Sequence, residues 1–515
     1  MKYLHALLIL SVLLLLNACT KLGPDFIKPV DHKLPRFWDT NSTQSDKIVE
    51  EWWKLFKDKT LNTLVDNIVQ QNLDLRAAGL RILQARAALG ISQGLKYPQV
   101  QTLSGSLAGT RNNGNSIIST GVNFDLSWEI DVWGKYARGI ESSEATLYAS
   151  IASYDDILVS IISEVARNYI NYRTAQERYM FAQRNIAIQE RVTKITEIQF
   201  NAGNVSELDM QQAKSQLYST MSTLPTFKFS MVKSRNALAT LLNILPEEMQ
   251  AILHIEQTSL KNMQVQQYDY QSNSLIPTLI LDENFTVSAD LVSRRPDIQI
   301  AELQARAQSA RIGSAEAELY PHFSLFGSIG YSSHNILGHS ISTGDTIGIS
   351  AGPSFSWNIF NYGRIKDQVR IQDAKFQESL ANYNKKVLLA VQEVSNSLNG
   401  YKLTKEQLEL NSLATEATQR AYNISITQYE NGLTSYQRLL TSVEKLTRNE
   451  DYYALIKGNI SLQAIALYKA LGGGWQIGRD KEYLHAEDVV QMHNRTQWGE
   501  YLDADKISLV KEEKR

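Results

Sequence analysis

Apolar and polar residues alternate one by one from Val122 to Val132. Val122, Phe124, Leu126, Trp128, Ile130 and Val132 form one set, and Asn123, Asp125, Ser127, Glu129 and Asp131 form the other. A period of two puts the two sets on opposite faces of a β-strand. Far downstream the pattern recurs, with Ile347, Ile349, Ala351, Phe355, Trp357 and Ile359 on one face and Thr346, Gly348, Ser350, Ser354, Ser356 and Asn358 on the other. Each strand has a partner before it. One is a less regular run from Gln99 to Arg111; in the other, Phe323, Leu325, Ile329 and Tyr331 alternate with His322, Ser324, Ser328 and Ser332. "RNNGNS" after Gly109-Thr110 carries the Asn-Gly hairpin signal, and the Gly/Ser-rich "SSHNILGHSISTGD" joins the second pair. The spacing predicts β-hairpins over 98–133 and 321–362.

After each hairpin the period lengthens. Ile140 to Ala202 holds neither Gly nor Pro, and Arg364 to Asn431 holds only Gly400. Helices of that extent reach about 90–100 Å at a rise of ~1.5 Å per residue. Leu158, Val165, Tyr172, Tyr179 and Ile186 recur every seven residues, as do Val387, Val394, Tyr401 and Leu408, which suits long side-by-side packing. Gly203 and Gly432 then mark turns into returning helices, giving two antiparallel helical hairpins.

The chain is one unit present twice. "NLDLRAAGL" from Asn72 aligns with "RPDIQIAEL" from Arg295, Gly90 with Gly313, and Tyr97-Pro98 with Tyr320-Pro321. Beyond the hairpin loops, "LSWEIDVWGK" from Leu126 aligns with "FSWNIFNYGR" from Phe355, and "QFNAG" from Gln199 with "QYENG" from Gln428. Each copy opens with a helix of roughly 30 residues that ends near its Tyr-Pro pair. "RRPD" (Arg294 to Asp297) reads as the start of the second of these, with Pro296 in the first turn and Asp297 at the positive helix end.

Composition narrows the classes. The 515 residues carry a net charge of −2, so no global basic field points to nucleic acid. No HExxH, GxSxG or Walker lysine pattern is present, and an enzyme, a catalytic residue, a metal site or a cofactor is not expected. Lys2, the apolar run Ala6 to Leu16 and the small residues after it describe a secretory leader over 1–18. Leu16-Asn17-Ala18-Cys19 resembles a bacterial lipobox, which implies lipidation of Cys19, the one cysteine in the chain.

Strands this long suffice to cross an outer membrane when tilted, and Trp128, Trp133, Trp357 and Tyr362 near their ends resemble an aromatic girdle. In lipid every backbone group must be paired, so the sheet must close, and four strands are too few to close alone. Three chains in a ring supply twelve strands, with the helical hairpins continuing as a tube. The apolar set of the opening strand then meets lipid, while Asn123, Asp125, Glu129 and Asp131 line a water-filled lumen.

The motifs "CTKLGPDFIKP" from Cys19, "WWKLFKDKTLNTLV" from Trp52, "NLDLRAAGLRILQARA" from Asn72, "LPTFKFSMVKSRNALATLLNILP" from Leu224, "LVSRRPDIQIAE" from Leu291, "GPSFSWNIFNYGRI" from Gly352 and "LYKALGGGW" from Leu467 occur in order. Together they resemble the TolC/NodT-type outer-membrane efflux proteins, in particular the lipoprotein branch serving resistance-nodulation-division pumps. The resemblance implies an α+β membrane protein: a trimeric twelve-stranded β-barrel, four strands per chain, continuous with a periplasmic α-helical barrel. It implies a passive exit duct for drugs or other small molecules, working with a periplasmic adaptor and an inner-membrane pump; a duct for type I protein secretion is the alternative. It implies repeats over 61–250 and 288–474, a lipidated segment over 19–60, a linker over 251–287 and a polar tail over 475–515. The helix turns then form a periplasmic mouth. Asp209 matches an acidic position that holds such mouths shut, whereas Arg438 and Thr441 stand where aspartates usually constrict it. A latch between Asp209 or Glu207 and Arg438 on neighbouring hairpins is the expectation that follows.

Overall fold

The computed structural model describes residues 21–29, 50–112, 115–254, 270, 274–281, 294–337, 342–478 and 482–502. The leader, Cys19, the Asn113-Gly114 turn and the last residues of the tail lie outside them. A 3₁₀ turn (Trp52–Phe56) precedes α1 (Lys59–Gln71) and α2 (Leu73–Gly94). Then come β1 (Val100–Asn112), β2 (Asn115–Ile130), α3 (Lys135–Asn201), α4 (Glu207–Leu241) and α5 (Pro246–His254). The second copy runs α6 (Pro296–Ala317), β3 (His322–Leu337), β4 (Ser342–Ser356), α7 (Arg364–Glu430) and α8 (Tyr436–Ala470), followed by α9 (Ala486–Arg495).

The copies match in length. α3 and α7 have 67 residues each, α4 and α8 have 35, and α2 and α6 have 22. A 67-residue stave is about 100 Å long. Its half beyond the middle is paired by the 35-residue return helix. The 22-residue helix covers the half nearer the sheet. The helix before each hairpin is thus shorter than the roughly 30 residues its pattern implied. Asn72 explains this: its extended backbone (φ −71°, ψ 127°) separates α1 from α2, and its side-chain oxygen accepts from the Leu75 amide at 2.9 Å. The second copy starts as its sequence indicated, with Pro296 in the first turn and Asp297 behind it.

Asn72 also joins the two covering helices. Its amino group donates to the Leu241 carbonyl at 2.8 Å, at the end of α4. In the second copy Arg295 takes the aligned position and donates to the Ala470 carbonyl, at the end of α8, at 2.7 Å. It also binds Asp297 and, at 2.7 Å, Glu393 on α7. Burial works against the guanidinium's charge, but Asp297 and Glu393 outweigh it and hold the pKa above its ordinary value.

The seven-residue series forms the inner seam. Leu158, Val165, Tyr172, Ile186, Val387, Val394 and Tyr401 are buried, with Tyr179 and Leu408 at the margins. Fully burying such an aliphatic side chain stabilises by roughly 1.5–3 kcal/mol. At mid-length Trp52 stacks on Tyr468, with centroids 5.7 Å apart and planes 7° apart, and meets Trp53 edge-on. The described part of the polar tail packs along α2: Tyr483 meets Tyr154 edge-on, Arg76 grips Asp488 at 2.6 and 2.7 Å, and Arg86 lies over the Tyr501 ring.

The four strands form one antiparallel sheet in the order β1-β2-β3-β4, so β2 and β3 join the copies and β1 and β4 are edges. The ladders stop at Ile130↔Phe323 and His322↔Ser356. The alternation read through Val132 and Ile359 therefore outlasts the strands, because their partner β3 begins only at His322.

Candidate channel wall and periplasmic mouth

The register fixes two faces of the sheet. Val122, Phe124, Leu103, Ile329, Tyr331, Ile347, Ile349 and Phe355 share the apolar face and are exposed in the single chain, Ile349 at 75% and Leu107 at 76%. An apolar surface of this extent needs an apolar surrounding. On the other face Asn123 opposes Ser104 and Gly330, and Asp125 opposes Thr102 and Ser328. Asn123 donates to Asp125 at 2.6 Å and accepts from Ser328 at 3.1 Å. Phe326 also lies on this polar face, paired with Gly352, and its ring lies over that glycine. The sequence did carry its signal: Phe326 breaks the alternation of β3.

One tryptophan anchors the strand end in the same way in each copy. The Trp128 indole donates to the Lys96 carbonyl at 3.2 Å, and Trp357, its counterpart, to Leu319 at 2.9 Å. Trp133 donates to the Pro321 carbonyl at 2.8 Å. Asp131, expected beside Asp125 and Glu129, lies one residue past β2. Its carboxylate accepts from the amides of Tyr136 (3.1 Å) and Ala137 (2.8 Å), so it starts α3 instead of extending the strand's polar face. Gly134 makes the corner, with φ 74° and the Lys21 backbone packed against it; Gly363 repeats the corner at φ 84°.

Glu129 closes the polar face at its lower rim. It accepts from Tyr136 at 3.0 Å and faces His322 at 2.8 Å and Lys135 at 3.6 Å. Burial opposes the charge of Lys135, but Glu318 at 2.7 Å and Glu129 hold its pKa above the ordinary value. Arg138, which the sequence did not single out, is 1% exposed and donates to the carbonyls of Leu22 and Gly23, both at 2.9 Å. It holds the N-terminal segment against the top of the stave. A lone arginine in a helical pattern gives no sign of such a role.

At the far end both turns are Schellman-type. Gly203 (φ 78°) donates to Phe200 and Asn204 to Gln199, while Gly432 (φ 68°) donates to Tyr429 and Leu433 to Gln428. In the first copy Ser206 and Asp209 form a reciprocal capping box at the start of α4. Ser435 begins α8 without a side-chain cap, and Arg438 occupies the position of Asp209. Glu207, Arg438 and Thr441 are exposed, and Arg438 and Thr441 line a groove with Thr418, Ala421 and Ser425 of α7. Among the described residues no ion pair joins Glu207 or Asp209 to Arg438 within the chain. The hairpins meet instead through Arg191–Glu430 at 2.6 Å, Thr196–Tyr429 at 3.3 Å and a cluster around Tyr429, Tyr436 and Leu439. Burial, then Tyr429, Asp209 and Glu444, push the Tyr436 phenol up.

Known proteins share this arrangement. The family model described as outer membrane efflux protein matches residues 64–243 and 287–473. Nodulation protein T of Rhizobium leguminosarum bv. viciae is 30% identical over 429 residues, 81% of this chain and 83% of that protein. The pyoverdine export outer membrane protein OpmQ of Pseudomonas aeruginosa is 27% identical over 489 residues, 92% of this chain and 97% of its own. The solved outer-membrane channel OprN superposes with a TM-score of 0.74 at 29% identity, over 88% of this chain and all of that one. With both repeats matched and the whole architecture shared, the chain belongs to the outer membrane efflux protein family.

Proposed function

We propose that three copies of this chain form the exit duct of a tripartite efflux system, fed by a periplasmic adaptor and an inner-membrane pump of the resistance-nodulation-division type. The carrying observation is a four-stranded sheet with an exposed apolar face, a polar reverse face and two unpaired edges, set on duplicated 67-residue staves. β4 of one copy beside β1 of the next completes the backbone pairing that lipid demands. Asn123, Asp125 and Glu129 then face the water-filled lumen. The chain is an outer-membrane protein reaching into the periplasm. Relatives that match over most of their length are named for pyoverdine export and for cation efflux, which supports a small-molecule cargo chosen by the pump. Catalysis has no part in this reading.

Lipidation of Cys19 fits the same picture. Lys21 packs on Gly134, where β2 passes into α3, and the Leu22 amide donates to the Trp133 carbonyl at 3.1 Å. Both contacts hold Lys21 and Leu22 at the sheet end of the stave, which supports an anchor at the membrane surface. At the mouth, Asp209 and Arg438 are equivalent positions of the two copies, so a closed ring alternates acid and base. Pairing between neighbouring hairpins latches it, at up to ~1 kcal/mol per exposed pair.

Deleting the gene should raise susceptibility to a panel of exported compounds, and the tagged protein should co-purify an adaptor. Unchanged susceptibility across drugs, metals and siderophores, with no adaptor recovered, would remove the efflux reading. Arg438→Ala should raise conductance and antibiotic entry; no change in either refutes the latch alone.

A further inference from the structure

At the lower rim of the barrel the polar face ends in one titratable cluster. His322, the first residue of β3, places Nδ1 2.8 Å from Glu129 and Nε2 3.3 Å from Glu318. Lys135 bridges the same two carboxylates at 3.6 and 2.7 Å. The Tyr136 hydroxyl occupies the other oxygen of Glu129 at 3.0 Å. The group is neither sealed nor free: the side chains of His322, Glu129 and Lys135 are 15%, 25% and 28% exposed. Both ring nitrogens therefore face carboxylates. A neutral imidazole carries one N–H and serves one of them, whereas the imidazolium donates to both. Imidazole is also the side chain that titrates between about pH 5 and 8.

Few other charges reach the cluster. Asp131 is taken up by the α3 amides, and β4 presents Ser356 opposite His322. Arg364, at the start of α7, shares a groove with Glu318. The duplication supplies a comparison. Gln99 aligns with His322 and Asn358 with Glu129, and Gln99 binds the Glu129 backbone through both ends of its amide. A ring closed by β4 against β1 of the next copy sets Asn358 near Gln99 at that junction. The charged cluster then occurs once per chain, at the β2–β3 junction.

We propose that His322, Glu129, Glu318 and Lys135 form a pH-responsive selectivity belt at the neck, where the barrel passes into the helical tube. With the imidazole neutral, two carboxylates and one ammonium leave each cluster anionic, and the belt favours cations. Protonation of His322 cancels that charge, and the preference falls. The proposal rests on the duct reading.

The test uses the full-length trimer in planar bilayers under a KCl gradient, with reversal potentials recorded from pH 5 to 8. The potential should show a step towards weaker cation preference as pH falls. His322→Gln should lose the step. Glu318→Gln should weaken cation preference throughout and keep the step. A wild-type potential flat over this range, or the full step retained in His322→Gln, overturns the belt. So does a histidine NMR resonance, present in the wild type and absent from His322→Gln, that does not move over the same range. A trimer that inserts and passes no current at any voltage overturns the duct reading itself.

Discussion

Asn72→Ala tests the joint that makes two short helices behave as one long stave. Two interactions are lost. The first is the cap on the Leu75 amide, which contributes about 1 kcal/mol at a typical N-cap. The second is the donor to the Leu241 carbonyl; a carbonyl left unsatisfied costs about 1–3 kcal/mol, and the lower half applies because this one is partly buried. The two hydrogen bonds sum to about 2–3 kcal/mol, and removal of the buried carboxamide adds a packing loss to that. Asn72→Asp separates the parts. It keeps the acceptor for Leu75 and loses the donor for Leu241, and its buried carboxylate then faces that carbonyl, which adds to the second loss. Hydrogen exchange of peptides around 238–246 in the intact trimer reports the opening locally. Both variants should exchange faster there, while peptides at the periplasmic turns stay unchanged. If Asn72→Ala left both the exchange around Leu241 and the denaturant midpoint unchanged, the joint would be held by packing alone.

Arg184→Ala should destabilise the trimer by about 3–5 kcal/mol, because Glu450, fully buried, loses its 2.8 Å partner. Burial pushes the Glu450 carboxyl up despite Arg184, Tyr270 and Asn185; a raised acid favours the folded state at low pH and loses that contribution as pH rises, so the defect should shrink on acidification in a melting assay. Arg76 first of all holds the Asp488 carboxyl below the usual range, so the docking of the tail should persist above it and fail as pH falls through the lowered value, seen as faster proteolysis of residues 484–502; Asp488→Asn should release the tail already at neutral pH. Gly134→Ala should cost about 1 kcal/mol in backbone strain and push a methyl into Lys21, so trypsin should reach Lys21 and Lys28 faster than in wild type.

Much of the architecture was legible because it rests on repeating patterns. Alternation through Val122 to Ile130 gave β2 and its faces, and the absence of Gly and Pro from Ile140 to Ala202 gave the stave. The turn glycines Gly203 and Gly432 fall where the chain reverses, because each needs positive φ. What stayed hidden depends on distance in sequence. Nothing local to Arg138 reveals that it holds Leu22 and Gly23, and nothing near His322 reveals Glu129 across a strand pairing. Asp131 misled for a related reason. Side-chain period continues past the last ladder pair, but Asp131 lies one residue beyond Ile130↔Phe323, and the free amides of α3 take its carboxylate. The path of the tail was open in the sequence, because its contacts, Arg76–Asp488 and Tyr483 on Tyr154, join residues hundreds of positions apart.

The two copies differ less in backbone than in charge, and the difference falls at three levels of the stave. Gly134 and Gly363, Gly203 and Gly432, and Trp128 and Trp357 repeat the same corners, turns and anchors. At the neck, Glu129 and His322 answer to Asn358 and Gln99. At the joint, Asn72 answers to Arg295, both donating to a return helix's last carbonyl. At the mouth, Asp209 answers to Arg438. Positions whose geometry holds the chain on its path admit few residue types, since positive φ and the close approach at Gly134 leave no room for a side chain. Positions that face water or a neighbouring hairpin admit either sign. In the proposed trimer, six staves alike in shape would therefore alternate in charge, and the ring would be threefold in its electrostatics where its backbone is nearly sixfold. A gate built on the proposed ring would open by separating unlike neighbours, so raising salt should loosen the mouth by screening the half-buried Asp209 and the exposed Arg438. The partly buried neck cluster should respond less, which lets salt and pH address the two ends of one duct separately.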